Sequence, residues 1–253
     1  MDTINEADLT ALLALQAEWG ADDALLPDPQ DRRHHPPTSI IAPIVARTPH
    51  EPALSAPTPP TDLHSIADLA ALRAALEQFE GCALKRTATQ LVFADGPPNP
   101  LVLIIGEAPG AEEDRIGRPF IGPAGQLLDR MLHSIALDRS MVRIINTVPW
   151  RPPGNRVPSD AEIQQCLPFL WRHIALTRPR AILLLGAIAV RAVLGRPVPI
   201  SKIRGQWQDL TIADLNHPLP ALPSFHPAYL LRKPEAKREA WSDLLALRAR
   251  IDQ

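Results

Sequence analysis

LVLIIGEAPGAEEDRIGRPFIGPAGQ, residues 101–126, falls into three parts, and that division decides the fold. The apolar run Leu101 to Ile105 has the length and β-branched content of a buried parallel strand. From Pro123 onward, Leu127, Leu128, Met131 and Leu132 recur at helical spacing. Between them lies an acidic loop, Gly106 to Gly122, punctuated by glycine and proline and carrying Phe120. Ligands of open parallel sheets bind at the carboxyl ends of the strands, so this loop is a site candidate.

The same alternation continues downstream. Strands are expected over 143–147, 181–185 and 221–225, and helices over 123–136, 160–176, 187–194 and 234–251. That pattern implies an α/β protein with a parallel or mostly parallel sheet and helices on both faces. Upstream, Ser65 can cap a helix through Gln78 with Leu69, Leu72 and Leu76 inward, and Leu91 to Phe93 reads as a short edge strand. The segment 200–212, with Trp207, fits either a hairpin or an added edge strand. Each main strand ends in something unusual: GEAPG, then Asn146 and PWRPPGNR, then Gly186-Ala187, then His226-Pro227. Four such ends on one rim point to a single cleft.

Residues 5–19 read as a helix carrying Leu9, Leu12, Leu13, Leu15 and Trp19, within an N-terminal block 1–21. Residues 22–62 form a proline-rich linker, and 63–253 form the main domain. The arm could dock on that domain or recruit a protein partner. The chain has 253 residues, 45% of them apolar, with a formal charge of -2 that hides an asymmetry. Residues 1–62 carry ten acids against Arg32, Arg33 and Arg47, which leaves the remainder basic and compatible with a polyanion. The absence of a membrane-length apolar run and the acidic start MDTINEADLT give the expectation of a soluble, cytoplasmic, monomeric protein with no membrane partner. Cys82 and Cys166 alone fall short of a four-ligand metal site.

Familiar nucleotide motifs fail: Gly106 to Gly110 is not GxGxxG, and GxxxxGK[ST] and GxSxG do not occur. The segments GEAPGAEEDRIGRPFIGPAGQLLDRML, NTVPWRPPGNRVPS with CLPFL, LLLGAIAVRAVLG and SFHPAYLLRKP occur in order. Together they resemble the uracil-DNA glycosylases of the family 4 type. The likeness runs from about Phe79 to Leu247. It implies an α/β/α sandwich around a four-stranded parallel sheet, and a monofunctional hydrolase of base excision repair acting on uracil-containing DNA.

Such an enzyme rotates the base out of the stack and cleaves its bond to the sugar, leaving an abasic site. The resemblance implies that Phe120 is the platform under uracil, although a core phenylalanine is the plainer reading. Asn146 would read O4 and N3–H and so reject cytosine, unless it only terminates its strand. His226 would face O2, where negative charge develops. Glu107 would lie beside the sugar and the attacking water, Glu113 could support that water, and Ala108 could offer its amide to O2. Glu112 and Asp114 read as a solvated turn. DNA contacts are expected from Pro152, Pro153, Gly154, Asn155 and Arg156, from Gly186 and Ala187 at a helix start, and from Tyr229, Leu230, Leu231 and Arg232. Either Leu230 or Leu231 could instead be the first apolar contact of the last helix.

The chain departs from the family in one respect. Its members hold a four-iron, four-sulfur cluster on four cysteines, and here the positions are Phe79, Cys82, Trp150 and Cys166. Two thiolates cannot replace four, so no cofactor is expected, and the four side chains should converge as an apolar cluster. The basic insertion that lets one branch of the family capture DNA through a histidine is missing after Asn146. The competing reading is a catalytically silent DNA-binding module of the same fold.

Overall fold

The computed structural model describes residues 63–195, 197–212 and 214–252. The N-terminal helix and the linker expected over 1–62 lie outside the described residues. Within them, a sheet of five strands has the order β2-β1-β3-β5-β4. The strands are β1 (Val102–Gly106), β2 (Val142–Asn146), β3 (Ala181–Leu185), β4 (Gln208–Leu210) and β5 (Leu219–Ser224). Strands β2, β1, β3 and β5 run parallel, and β4 pairs antiparallel with β5. The expected four-stranded parallel sheet is therefore present with one short antiparallel strand added at its edge, which settles the reading of 200–212.

The helices are α1 (Leu69–Gln78), α2 (Ala111–Ile116), α3 (Pro123–His133), α4 (Asp160–Thr177), α5 (Gly186–Leu194), α6 (Ile200–Ile203), α7 (Pro227–Arg232) and α8 (Lys237–Ile251). Both faces of the sheet are covered, so the central strands bury every residue. Along β1 the faces alternate strictly. Val102 and Ile104 pack with Leu128 and Leu132 of α3 and Leu244 and Leu247 of α8. Leu103 and Ile105 pack with Leu170 and Ile174 of α4 and Val190 and Val193 of α5. This two-sided burial is why the strand reads as an uninterrupted apolar run. No helix among the described residues is long and apolar enough to cross a membrane.

Several local expectations are corrected. The first long helix is capped by Asp68, whose side chain accepts from the Ala71 amide at 2.8 Å, rather than by Ser65. Leu91 to Phe93 does not form a strand. Val92 donates to Pro149 O at 2.9 Å, and pairing with β2 is limited to one antiparallel bridge between Asp95 and Ile144. The last helix, expected over 234–251, starts later: Pro234–Ala236 forms a 3-10 turn and α8 begins at Lys237, while the short α7 ahead of it was not expected.

The acids after Gly110 do not form a solvated turn either. They open α2, and Asp114 is buried, accepting from Thr89 N at 2.8 Å, Thr89 Oγ1 at 2.9 Å and Gln90 N at 3.3 Å. Asp114 therefore ties the cleft loop to the segment ahead of β1. Its replacement, Asp114→Ala, is expected to lower unfolding free energy by about 2 kcal/mol, because it strands two backbone amides and a hydroxyl. Urea denaturation measures this directly.

Candidate active-site cleft

The carboxyl ends of β1 and β2 lie side by side, with Gly106 opposite Asn146 in register. Thr147 holds them together by donating to Gly106 O twice, from its amide at 2.9 Å and its hydroxyl at 2.8 Å. A Cβ on Gly106 would fall 2.5 Å from the Phe120 ring and 2.6 Å from Asn146 Oδ1. Glycine is needed here because ring and amide both press against that backbone.

The resulting cleft, about 530 Å³, is lined by Glu107, Ala108, Phe120, Asn146, His226 and Tyr229, among others. That size suits a small ligand held by few polar groups. Phe120 forms one wall, with its ring centroid 5.4 Å from that of His226 and the planes inclined by 33°. It also belongs to the core cluster under β1, so the ring packs in the core and lines the cleft at once. Asn146 is buried, and its Oδ1 has no hydrogen-bond partner among the described residues. A buried acceptor in that state carries a desolvation penalty that a ligand N–H would relieve.

His226 caps α7, its Nδ1 accepting from the Ala228 amide at 3.1 Å. An accepting Nδ1 places the ring proton on Nε2. Burial, reinforced by the Arg232 charge, lowers the imidazole pKa to about 4 despite the opposing pull of Glu113. The ring is thus neutral at pH 7 and offers one N–H donor. Glu107 is half-buried in the cleft; burial raises its carboxyl pKa, while Arg191 and Arg232 pull it down. The carboxylate therefore sits near fixed positive charge in a partly dry setting.

Glu113 also faces the cleft, yet both of its oxygens are engaged by the backbone. Oε2 accepts from Gly110 N at 3.1 Å, and Oε1 accepts from Ile121 N and Gly122 N at 3.0 Å each. This carboxylate closes the acidic loop onto the residues that follow Phe120. Ala108 lines the cleft beside them.

Around the rim, Pro153, Gly154 and Asn155 form an exposed 3-10 turn, and Asn155 Oδ1 accepts from Arg151 Nε at 2.8 Å. Arg156 lines the cleft but grips Glu162 through two bonds, 2.9 and 2.6 Å, and holds that carboxyl at about 2. Gly186 and Ala187 open α5. Tyr229 and Arg232 reach the cleft from α7. The Leu230 expectation is corrected: Leu230 is 1% exposed and packs with Leu127, Phe225 and Ala240, whereas Leu231 is 42% exposed. The phase of α7, set by His226 as its cap, turns Leu230 inward and Leu231 outward. Val157, exposed on the cleft wall, was not singled out in the sequence because nothing in its local pattern marks it.

Phe79, Cys82, Trp150 and Cys166 converge in one buried cluster. The Phe79 ring lies 5.0 Å from that of Phe169, and the Cys82 and Cys166 thiols are free and buried, the Cys166 thiol held well above its ordinary pKa by the neighbouring thiol and by burial. Two free thiols, with aromatic rings at the other two positions, do not fit a four-thiolate cluster.

The chain belongs to the uracil DNA glycosylase superfamily, whose family model matches residues 93–245. Among similar proteins, the type-4 uracil-DNA glycosylase of Pyrobaculum aerophilum is 37% identical over 181 residues, 70% of this chain and 91% of that protein. The type-4 enzyme of Thermotoga maritima is 39% identical over 158 residues, 62% of this chain and 80% of that protein. The type-4 enzyme of Archaeoglobus fulgidus is 34% identical over 166 residues, 64% of this chain and 82% of that protein.

The state of His226 can be observed directly. Imidazole nitrogen NMR of the folded protein should show the Nε2–H tautomer at pH 7 and titration near pH 4. Titration at the ordinary histidine value of about 6.5 would contradict this assignment.

Proposed function

We propose that this protein removes uracil from DNA by hydrolysis, acting on a base turned out of the helix into the cleft. The observation that carries the proposal is the buried, unpaired Oδ1 of Asn146 beside the Phe120 ring. Uracil N3–H supplies the missing donor, and the Asn146 amide group can give its own N–H to O4. Cytosine presents the opposite pattern on that edge and leaves buried groups unpaired, which disfavours it strongly.

In this reading, Phe120 stacks under the ring and the neutral Nε2–H of His226 donates to O2. As the bond between N1 and C1′ breaks, its electron pair goes to the uracil ring and the sugar becomes cation-like. The charge growing on O2 meets a donor that is already in place, worth roughly 10²–10³ in rate by analogy with oxyanion-hole deletions. The Glu107 carboxylate offsets the positive sugar and orients the water that adds to C1′. The water's oxygen stays on C1′ as hydroxyl, and the proton it gives up balances, through solvent, the one taken up by the uracil anion. Glu113 contributes by keeping the loop closed. Leu231, exposed on α7, would enter the gap the base leaves, and the rim from Pro153 to Arg156 and the start of α5 would meet the DNA backbone.

The enzyme is read as monofunctional because the described cleft lining contains no lysine whose amine could attack the abasic sugar. We further propose that it works without an iron–sulfur cluster, with the Phe79 and Trp150 rings packed where two ligands would stand.

Uracil-containing oligonucleotides, single-stranded or with uracil opposite G or A, should acquire alkali-labile breaks at uracil. His226→Ala should be slower by roughly 10²–10³-fold, and Asn146→Ala should lose both rate and discrimination against cytosine. An absence of breaks with the unaltered protein would leave a DNA-binding module as the surviving reading. Iron and acid-labile sulfide analysis of the active protein should find neither at stoichiometric level; a full cluster would overturn the cluster-free proposal.

A further inference from the structure

Phe120 is one of four described non-glycine residues with positive φ, at 53°. A bulky side chain is sterically disfavoured in that region and persists there only where its surroundings impose it. Three features impose it here. Glu113 binds the amides of Ile121 and Gly122 just after it. Gly125 comes so close that a Cβ there would fall 1.8 Å from Phe120 O. The third is Arg139, which lies between α3 and β2 and outside the cleft lining.

The Arg139 guanidinium is spread over four groups. Nη2 donates to Phe120 O, and Nη1 donates to Pro119 O at 3.3 Å. Nη1 also bonds Asp95 Oδ2 at 2.6 Å, and Nε bonds Asp129 Oδ1 at 2.8 Å. Asp95 sits ahead of β1 and Asp129 on α3, so the fork is anchored on both sides of the loop it holds. An ion pair that served stability alone would have no need of the two carbonyls that lead into and out of the strained residue. The planar guanidinium can serve all four acceptors at once, which a lysine ammonium cannot do in one geometry.

We infer that Arg139 is a positioning residue for base recognition: it fixes the Phe120 carbonyl and, through it, the left-handed backbone that sets the ring against His226. The inference rests on the proposed role of Phe120 as the platform for uracil. Without the fork, φ of Phe120 can relax and the ring can leave the wall it shares with His226. A displacement of about 1 Å at such a surface costs up to about 100-fold in rate.

The test is a cycle of Phe120→Ala, Arg139→Gln and the double variant, read by the inhibition constant of free uracil and the single-turnover rate on a uracil-containing strand. Phe120→Ala should weaken uracil binding by about 10-fold or more; no change would remove the platform reading itself. With that in place, Arg139→Gln should move both readouts in the same direction, by about 10–100-fold in rate. The double variant should be little worse than Phe120→Ala, because both changes remove one interaction. Fully additive losses, or a lowered melting temperature with uracil binding unchanged, would mean that Arg139 is only a stabilising ion pair. If Arg139→Gln does not fold, Arg139→Lys takes its place in the cycle under the same criteria.

Discussion

The carboxyl ends of β1 and β2 meet where only a hydrogen atom fits. At Gly106 the backbone is pressed by the Phe120 ring on one side and the Asn146 amide on the other, each too close to admit a Cβ. Thr147 fastens the two strand ends, so neither wall can retreat along its strand. The ring in turn rests on His226, which owes its neutral state to burial and its tautomer to the Ala228 amide. A flat apolar wall, an amide with an unmet acceptor and a neutral donor therefore form one rigid unit. Rigidity matters because a site that must tell uracil from cytosine depends on leaving groups unpaired for the wrong base, and a soft site would adjust.

The loop between β1 and α3 is held by charged side chains bonded to backbone as well as by the Phe120 ring in the core. Asp114 ties it to residues 89 and 90, Glu113 closes it on itself, and Arg139 clamps its end. These groups are buried or half-buried and bonded to backbone, where they act over short distances and are little screened by salt. The arrangement explains the acid-rich composition of a loop whose expected partner is a polyanion. Of the four acids, Glu113 and Asp114 are spent on internal hydrogen bonds and Glu112 is exposed, which leaves Glu107 half-buried in the cleft.

Phe79, Trp150, Phe169 and the two thiols make a core that joins α1 to α4, and Ala108 of the cleft packs against it. Apolar contacts perform the joining there, and large rings supply the volume that compact packing needs.

The sequence by itself determined the parallel α/β sheet, because strands buried on both faces must be continuously apolar and helices packed on them must show a 3.6-residue stripe. It also carried part of the cleft, since Glu107, Asn146 and His226 stand at or just past strand ends where the apolar run stops. It could not determine which of Leu230 and Leu231 faces outward, because the phase of a six-residue helix follows from its cap and not from its composition. Nor could it show that Asp114 is buried or that Glu113 is a clasp, since a run of acids reads the same in solvent as in a network. Arg139 was invisible for a related reason: its partners lie 10 to 44 positions away, and only the folded chain brings them to one guanidinium.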